Sequence, residues 1–197
     1  MSSKLNVNKE IAKGSIWMLL MRFSIKGLGL ISTVILARIL MPEDFGLIAM
    51  AMTVIAFIDL FQTIGVDMAL IQNKNAERDH YNTAWTIKVI LGVVCGLVVA
   101  VFASISASFF NEPRLENVLY FLAIALFLYG FPNIGLVDFQ KKMTFKYEFN
   151  YQVTTKLFSF LITVGAALIF RNYWALIIGQ LSGSIIRIIF ISTSKII

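Results

Sequence analysis

The sequence contains very few of the residues that build metal centres, disulfides and nucleophilic catalytic sites. Among its 197 residues there is one cysteine, Cys95, and one histidine, His80. A lone cysteine excludes an internal disulfide, and a lone histidine in a polar stretch provides neither a histidine-based metal cluster nor a Ser–His pair. Paired carboxylates are also scarce, since Glu112 and Glu116 are the nearest example and a solvated turn explains them. We therefore expect no enzyme, no metal and no cofactor.

Charged residues are also few. They make up 14% of the chain, against about a quarter in soluble domains, while 58% of residues are hydrophobic. Residues 89–111 and 117–137 contain no Asp, Glu, Lys or Arg. Each stretch is long enough to cross a hydrocarbon core of ~30 Å as a helix. These runs predict an all-α polytopic membrane protein and argue against a water-soluble helical fold.

The apolar segments and the polar breaks between them predict a single bundle of six transmembrane helices. The spans are residues 14–40, 45–71, 82–110, 115–137, 151–170 and 173–194. Pro42 is well placed to begin the second helix, and Asn172 joins the last two spans as a tight hairpin. Pro132 predicts a kink in the fourth helix.

The loop cations predict the orientation of the bundle. Three cations lie on one side, Arg38, Arg114 and Arg171. The other side, which holds both termini, carries nine: Lys4, Lys9, Lys13, Lys74, Arg78, Lys141, Lys142, Lys146 and Lys195. An excess of Lys and Arg marks the cytoplasmic side, so we expect both termini in the cytoplasm. The same excess explains the basic isoelectric point near 9.5, and nucleic acid is not an expected partner.

Five further cations fall inside the predicted spans: Arg22, Lys26, Lys88, Lys156 and Arg187. Burying each costs about 2.5–3.5 kcal/mol on insertion scales, so such residues are candidates for substrate binding. The alternative is that the long side chains reach back to the membrane surface. Three of the five lie near span ends, where both substrate binding and a reach to the membrane surface remain open: Lys88, Lys156 and Arg187. Arg22 and Lys26 lie deeper, and function is favoured for them.

The first span carries a polar stripe that we call the cation stripe. Its members fall within a sector of about 60° on a helix and are Ser15, Arg22, Lys26, Gly29 and Thr33. Such a stripe suits the wall of a hydrated cavity, and the alternative is a packing face with one internal ion pair. In the last span Gln180, Ser184 and Arg187 share a face and extend the candidate wall.

Asp59 is the acidic residue that matches this stripe, because it lies midway along the second span. We expect an ion pair between Asp59 and Arg22 or Lys26. The alternative is that Asp59 binds a coupling proton or Na⁺. Close helix packing is indicated by two pairs of glycines four residues apart, Gly92 with Gly96 and Gly179 with Gly183.

The sequence also resembles a known family. At the junction of the first two spans the chain reads Leu36-Ala37-Arg38-Ile39-Leu40-Met41-Pro42-Glu43-Asp44-Phe45-Gly46. Further along come Gly65, Ala69-Leu70-Ile71-Gln72 and, after the fourth span, Met143-Thr144-Phe145-Lys146. In combination these segments resemble the polysaccharide transporters, the Wzx-type oligosaccharide flippases of the multidrug/oligosaccharidyl-lipid/polysaccharide exporter superfamily. The resemblance runs along essentially the whole chain.

Members of that family have two six-helix lobes facing a central cavity, and this chain resembles the N-terminal lobe alone. The resemblance implies transfer of a lipid diphosphate-linked oligosaccharide across the bacterial inner membrane by alternating access, for O-antigen, capsule or exopolysaccharide synthesis. The implied partners are this lipid-linked cargo, the membrane lipid, and the missing C-terminal lobe or another membrane subunit. The alternatives are a multidrug exporter of the same architecture and a non-transporting scaffold. Five intramembrane cations against one clear anion favour an anionic cargo.

Overall fold

The computed structural model describes residues 2–62, 68–70, 77–129 and 145–193, and the ordered elements in those ranges are helical. We number the six main helices α1 to α6 in chain order. They are α1 Ser2–Leu36, α2 Pro42–Gln62, α3 Arg78–Phe109, α4 Arg114–Tyr129, α5 Phe145–Phe170 and α6 Trp174–Thr193. The prediction of an all-α chain is confirmed for the described residues.

Three of the helical segments are long and apolar enough to cross a membrane. They are Gly14–Leu36, Arg78–Phe109 and Phe145–Phe170, and a shorter apolar stretch covers Trp174–Ile189. The helices α2 and α4 overlap the second and fourth predicted spans, but a count of six membrane crossings stays a prediction. The expected kink at Pro132 lies outside the described residues.

Several boundaries differ from those predicted. The helices α3 and α5 begin at Arg78 and Phe145, four and six residues before the expected spans, because polar residues at a membrane surface continue a helix when water solvates them. At the start of α3, the Nδ1 atom of His80 accepts a hydrogen bond from the Glu77 N–H at 3.3 Å. The one histidine therefore closes a capping box around Glu77. The helix α1 ends at Leu36, before the turn that leads to Pro42.

The helices pack in a definite order. The helix α1 packs against α5, α5 against α6, and α6 against α4, while α2, α3 and α4 pack against one another. The main core is formed by α2, α3 and α4 with one residue of α6, and includes Leu47, Val99 and Leu119. The helix α1 is peripheral, since 6% of the residues in its most apolar stretch are buried, against 28% in α3.

One glycine of each predicted pair, Gly96 and Gly179, lies at a close helix contact. The Ser159 hydroxyl of α5 donates a hydrogen bond to the Gly179 carbonyl of α6 at 2.8 Å, and a Cβ at Gly179 would overlap the side chain of Thr163. On α3, a Cβ at Gly96 would lie 3.0 Å from the Ala123 carbonyl oxygen of α4. Cys95 is buried in the main core, as expected of a small packing residue.

We expect the substitution Gly179→Ala to loosen the α5–α6 pair. The added methyl group overlaps the buried Thr163 side chain, and overpacking of this kind lowers stability by about 1–3 kcal/mol. Gly165→Ala is the matched control, because a Cβ at Gly165 on α5 meets open space. Thermal unfolding in detergent micelles measures the difference. Equal melting temperatures for the two variants would contradict the packing described.

Candidate functional site

We call the six described helices the lobe. Within it, the helix α1 packs against the other helices along one face. A Cβ at Gly14 would lie 2.6 Å from the Phe145 ring of α5, and the rings of Trp17 and Phe149 meet edge to face with centroids 5.2 Å apart. Met21, one turn further on, is 9% exposed. These residues fix which side of α1 faces the other helices of the lobe.

The cation stripe lies beside this attached face and is not covered by it. Arg22 and Lys26 are both exposed and stand one helical turn apart. A Cβ at Gly29 would meet open space, and the Thr33 hydroxyl donates to the Gly29 carbonyl at 3.0 Å. The stripe is therefore accessible along its length in the described lobe.

The remaining face of α1 is apolar and also exposed. Phe23 is 75% exposed and Leu30 is 70% exposed. By helix geometry these residues flank the cation stripe on the side opposite the contact with α5. The helix thus presents a charged surface between a packed face and a surface suited to lipid tails. An ionic head group joined to an apolar chain is the kind of ligand that such an arrangement accommodates.

The other predicted site residues are spread over four helices. Lys156 is exposed on α5, Gln180 is exposed on α6 and Arg187 is half-buried on α6. Because α5 packs between α1 and α6, these three lie in the same half of the lobe as the cation stripe. Lys88 is half-buried on α3 and Asp59 is exposed on α2, in the half that contains the main core. The ion pair expected for Asp59 stays a prediction.

Asp44 belongs to the motif around Pro42, and its structural role was not predicted from the sequence. Its side chain is 7% exposed. One carboxylate oxygen accepts the Met41 N–H at 3.2 Å, and the other accepts the Tyr173 N–H at 3.2 Å. A carboxylate beside helix N-termini is favoured by the backbone dipoles. The signal in the sequence was an acid two residues after Pro42, the first residue of α2.

The α1–α2, α3–α4 and α5–α6 turns meet at one end of the lobe, which we call the turn end. Arg114 holds the Glu112 carboxylate with two hydrogen bonds of 2.8 and 2.9 Å, and this contact lowers the pKa of Glu112. The pKa of Arg114 is raised, first by Glu112 and then by the fields of Glu43 and Tyr173. Glu43 lies in the first turn of α2 and Tyr173 directly precedes α6, so the three turns are neighbours.

Glu148 corrects one prediction. It lies before the fifth predicted span, residues 151–170, whereas residues 145–148 belong to the first turns of α5. Glu148 is 7% exposed and accepts a hydrogen bond from the Gln152 side chain at 3.1 Å. A polar residue one turn inside a helix cannot be distinguished from a loop residue by composition alone.

In the described ranges no group of three or more metal-binding side chains comes together.

Comparison with known proteins establishes the family. The family model described as polysaccharide biosynthesis protein matches residues 35–195, which is most of the chain and includes five of the six helices. This chain belongs to the polysaccharide biosynthesis protein family. The resemblance to polysaccharide flippases that the motif around Pro42 indicated is confirmed.

Two relatives illustrate the family. The succinoglycan biosynthesis transport protein ExoT of Rhizobium meliloti is 23% identical over 91% of this chain and 36% of its own length. The lipopolysaccharide biosynthesis protein WzxC of Escherichia coli is 25% identical over 93% of this chain and 37% of its own length. The chain thus spans somewhat more than a third of the relatives it matches. No solved structure matches it.

Proposed function

We propose that this chain is part of an exporter that moves a lipid diphosphate-linked oligosaccharide across the bacterial inner membrane during assembly of O-antigen, capsule or exopolysaccharide. Membership of the polysaccharide biosynthesis protein family supports this proposal, as do relatives named for succinoglycan transport and lipopolysaccharide biosynthesis. The apolar helices support a membrane location. The excess of cations in one set of loops supports cytoplasmic termini.

The observation that carries the proposal is the exposure of Arg22 and Lys26 beside an apolar face of the same helix. A diphosphate needs cations in a hydrated cleft, while its prenyl chain is most stable in lipid. Arg22 can hold two phosphate oxygens through its planar guanidinium, and Lys26 adds a mobile point charge. Recognition of the cargo is non-covalent in this scheme, and no reaction on the chain is required.

Alternating access is the mechanism we propose. The cargo enters a cleft from the cytoplasmic leaflet, and rocking of two lobes then opens the cleft outward. The chain would supply one wall of this cleft, formed by the cation stripe of α1 with Lys156 of α5 and Gln180 and Arg187 of α6. A second lobe would supply the other wall. An exporter of organic cations would instead need acidic residues in the wall, whereas the wall we propose is basic.

Reconstituted vesicles test the proposal. The complete protein that contains this chain is expected to move a polyprenyl diphosphate oligosaccharide from one leaflet to the other, measured as loss of label accessibility to an added reagent. Vesicles without protein give the background rate, and an organic cation supplied as cargo tests the multidrug alternative. Transport of the organic cation without transport of the lipid diphosphate would contradict the proposal. Absence of both activities would favour the scaffold alternative.

A further inference from the structure

The helices α1 and α5 lie side by side and run in the same direction. Near the start of both helices, the ring of Trp17 meets that of Phe149. Near their ends, Leu36 and Ala167 belong to one small apolar cluster. Each helix has nearly the same number of residues between its two contacts, so the register of α1 against α5 is kept along their length.

The helix α6 runs in the opposite direction along α5, because a short turn joins the two. The Ser159 hydroxyl of α5 donates a hydrogen bond to the Gly179 carbonyl at 2.8 Å, and a Cβ at Gly179 would overlap the Thr163 side chain. Gly179 therefore lies level with the turn of α5 between Ser159 and Thr163. Residues later in α6 lie level with earlier residues of α5.

These two registers place the polar residues of the three helices at two depths. Cations form the first set, which spans about 6 Å along the helix axes. We call this set the cation group, and its members are Arg22, Lys26, Lys156 and Arg187. Uncharged residues form the second set, whose centre is about 10 Å nearer to the turn end. We call this set the neutral group, and its members are Gly29, Thr33 and Gln180.

Both groups point into the corner between α1 and α6. At about 100° per residue, the cation stripe lies roughly a quarter turn around α1 from the side that contacts α5. Gln180 and Arg187 lie roughly a quarter turn around α6 from its contact with α5. Because α1 is parallel to α5 and α6 is antiparallel to it, both quarter turns lead to the same side of α5. On that side Lys156 lies between the directions of Phe149 and Ser159, and it is exposed.

The neutral group offers hydrogen bonds and space without charge. The Gln180 amide has two donor hydrogens and an acceptor oxygen. The Thr33 hydroxyl donates to the Gly29 carbonyl at 3.0 Å, so its oxygen presents acceptor lone pairs to a ligand. A Cβ at Gly29 would meet open space. Sugar hydroxyls are neutral and both donate and accept, whereas phosphate oxygens are anionic acceptors that favour cations. The two groups therefore suit different parts of one glycolipid.

We propose that the neutral group is a sugar-binding subsite, which holds the first sugars of the cargo while the cation group holds its diphosphate. This inference rests on the proposed function. The sugars then point toward the turn end, and the prenyl chain lies along the exposed apolar face that carries Phe23 and Leu30. A site that hydrogen-bonds hydroxyl groups discriminates against a ligand that lacks them. The subsite thus selects glycosylated lipid over the bare lipid diphosphate.

Native mass spectrometry of the complete protein tests the subsite with two probes. One is the lipid-linked oligosaccharide that accumulates in the producing strain when the exporter is deleted, and the other is a polyprenyl diphosphate without sugar. The unmodified protein is expected to retain the glycosylated lipid at least about tenfold more tightly, the effect of two or more hydrogen bonds. Gly29→Leu fills the open space and should remove nearly all of this preference. Gln180→Ala should reduce it by about fivefold.

Gly165→Leu is the matched control. A Cβ at Gly165 also meets open space, and Gly165 lies near the level of Thr33 on the side of α5 opposite Lys156, so the preference should be kept. Melting temperatures in detergent micelles show whether each variant is folded, and Gln180→Ala, at an exposed position, provides the test should Gly29→Leu unfold.

The outcomes separate the subsite from the proposed function. Equal retention of the two lipids by the unmodified protein would overturn the subsite and leave the proposed function intact. A preference that is unchanged in Gly29→Leu and Gln180→Ala would overturn the assignment of the sugars to these residues. Retention of neither lipid by the unmodified protein would contradict the proposed function and the subsite together.

Discussion

Replacing Arg22 and Lys26 together with alanine is expected to abolish polysaccharide export by the complete protein. Both side chains are exposed on one face of α1, where they would meet the diphosphate of the cargo. A hydrogen bond to a charged group contributes about 1.5–3 kcal/mol, so loss of two such contacts corresponds to more than about a hundredfold weaker binding. Restoration of surface polysaccharide in a strain that lacks its own exporter measures the effect.

Three comparisons separate binding from folding in this experiment. The variant should reach the membrane at the level of the unmodified protein, because neither side chain lies in the core of the described lobe. Lys146→Ala removes an exposed cation from the first turn of α5 and should export normally. Arg22→Lys should retain part of the activity, since a lysine preserves the charge without the planar fork. Full export by the double alanine variant at normal membrane levels would exclude the cation stripe as the cargo site.

The second large effect concerns the second lobe of the proposed exporter. Expressed alone, residues 1–197 are expected to give no export, and supplying the remaining lobe as a separate chain should restore it. The reason is that α1 leaves its cation stripe and its apolar face uncovered within the described lobe, and a cleft needs a second wall. The chain spans 36% and 37% of the two relatives compared above. The same strain that lacks its own exporter provides the measurement.

The control for this second experiment is expression of the second lobe without residues 1–197. This lobe alone should also give no export. Export by residues 1–197 alone would contradict a two-lobed cleft and would require the chain to form the whole pathway, as a monomer or with copies of itself. Cross-linking in the membrane would then identify that assembly.

The helical character of the chain could be predicted from the sequence because it depends on local composition. Charge-free runs such as residues 89–111 exceed the length of a soluble core helix, and α3 covers nearly all of that run. The periodicity of Arg22, Lys26 and Thr33 likewise predicted a polar face on α1. Such patterns are properties of one segment, so they do not depend on the rest of the fold.

The packing partners of these segments could not be predicted, because they are set by residues far apart in the chain. Nothing near Asp44 indicates that Tyr173 will donate to it, and nothing in α1 indicates that α5 will be its neighbour. Glu148 fell outside the fifth predicted span for the same reason, since its burial comes from tertiary packing. Gly179 is an intermediate case, where the spacing to Gly183 predicted a close approach but not the identity of Thr163 as the residue approached.

Native mass spectrometry of the purified complete protein tests the central claim most directly. The unmodified protein is expected to retain a polyprenyl diphosphate and to release the corresponding polyprenyl alcohol, because the diphosphate alone can be held by Arg22 and Lys26. The variant Arg22→Gln with Lys26→Gln should bind the diphosphate at least about tenfold more weakly, the consequence of losing roughly 1.4 kcal/mol or more. Equal retention of the diphosphate by both proteins would contradict the account.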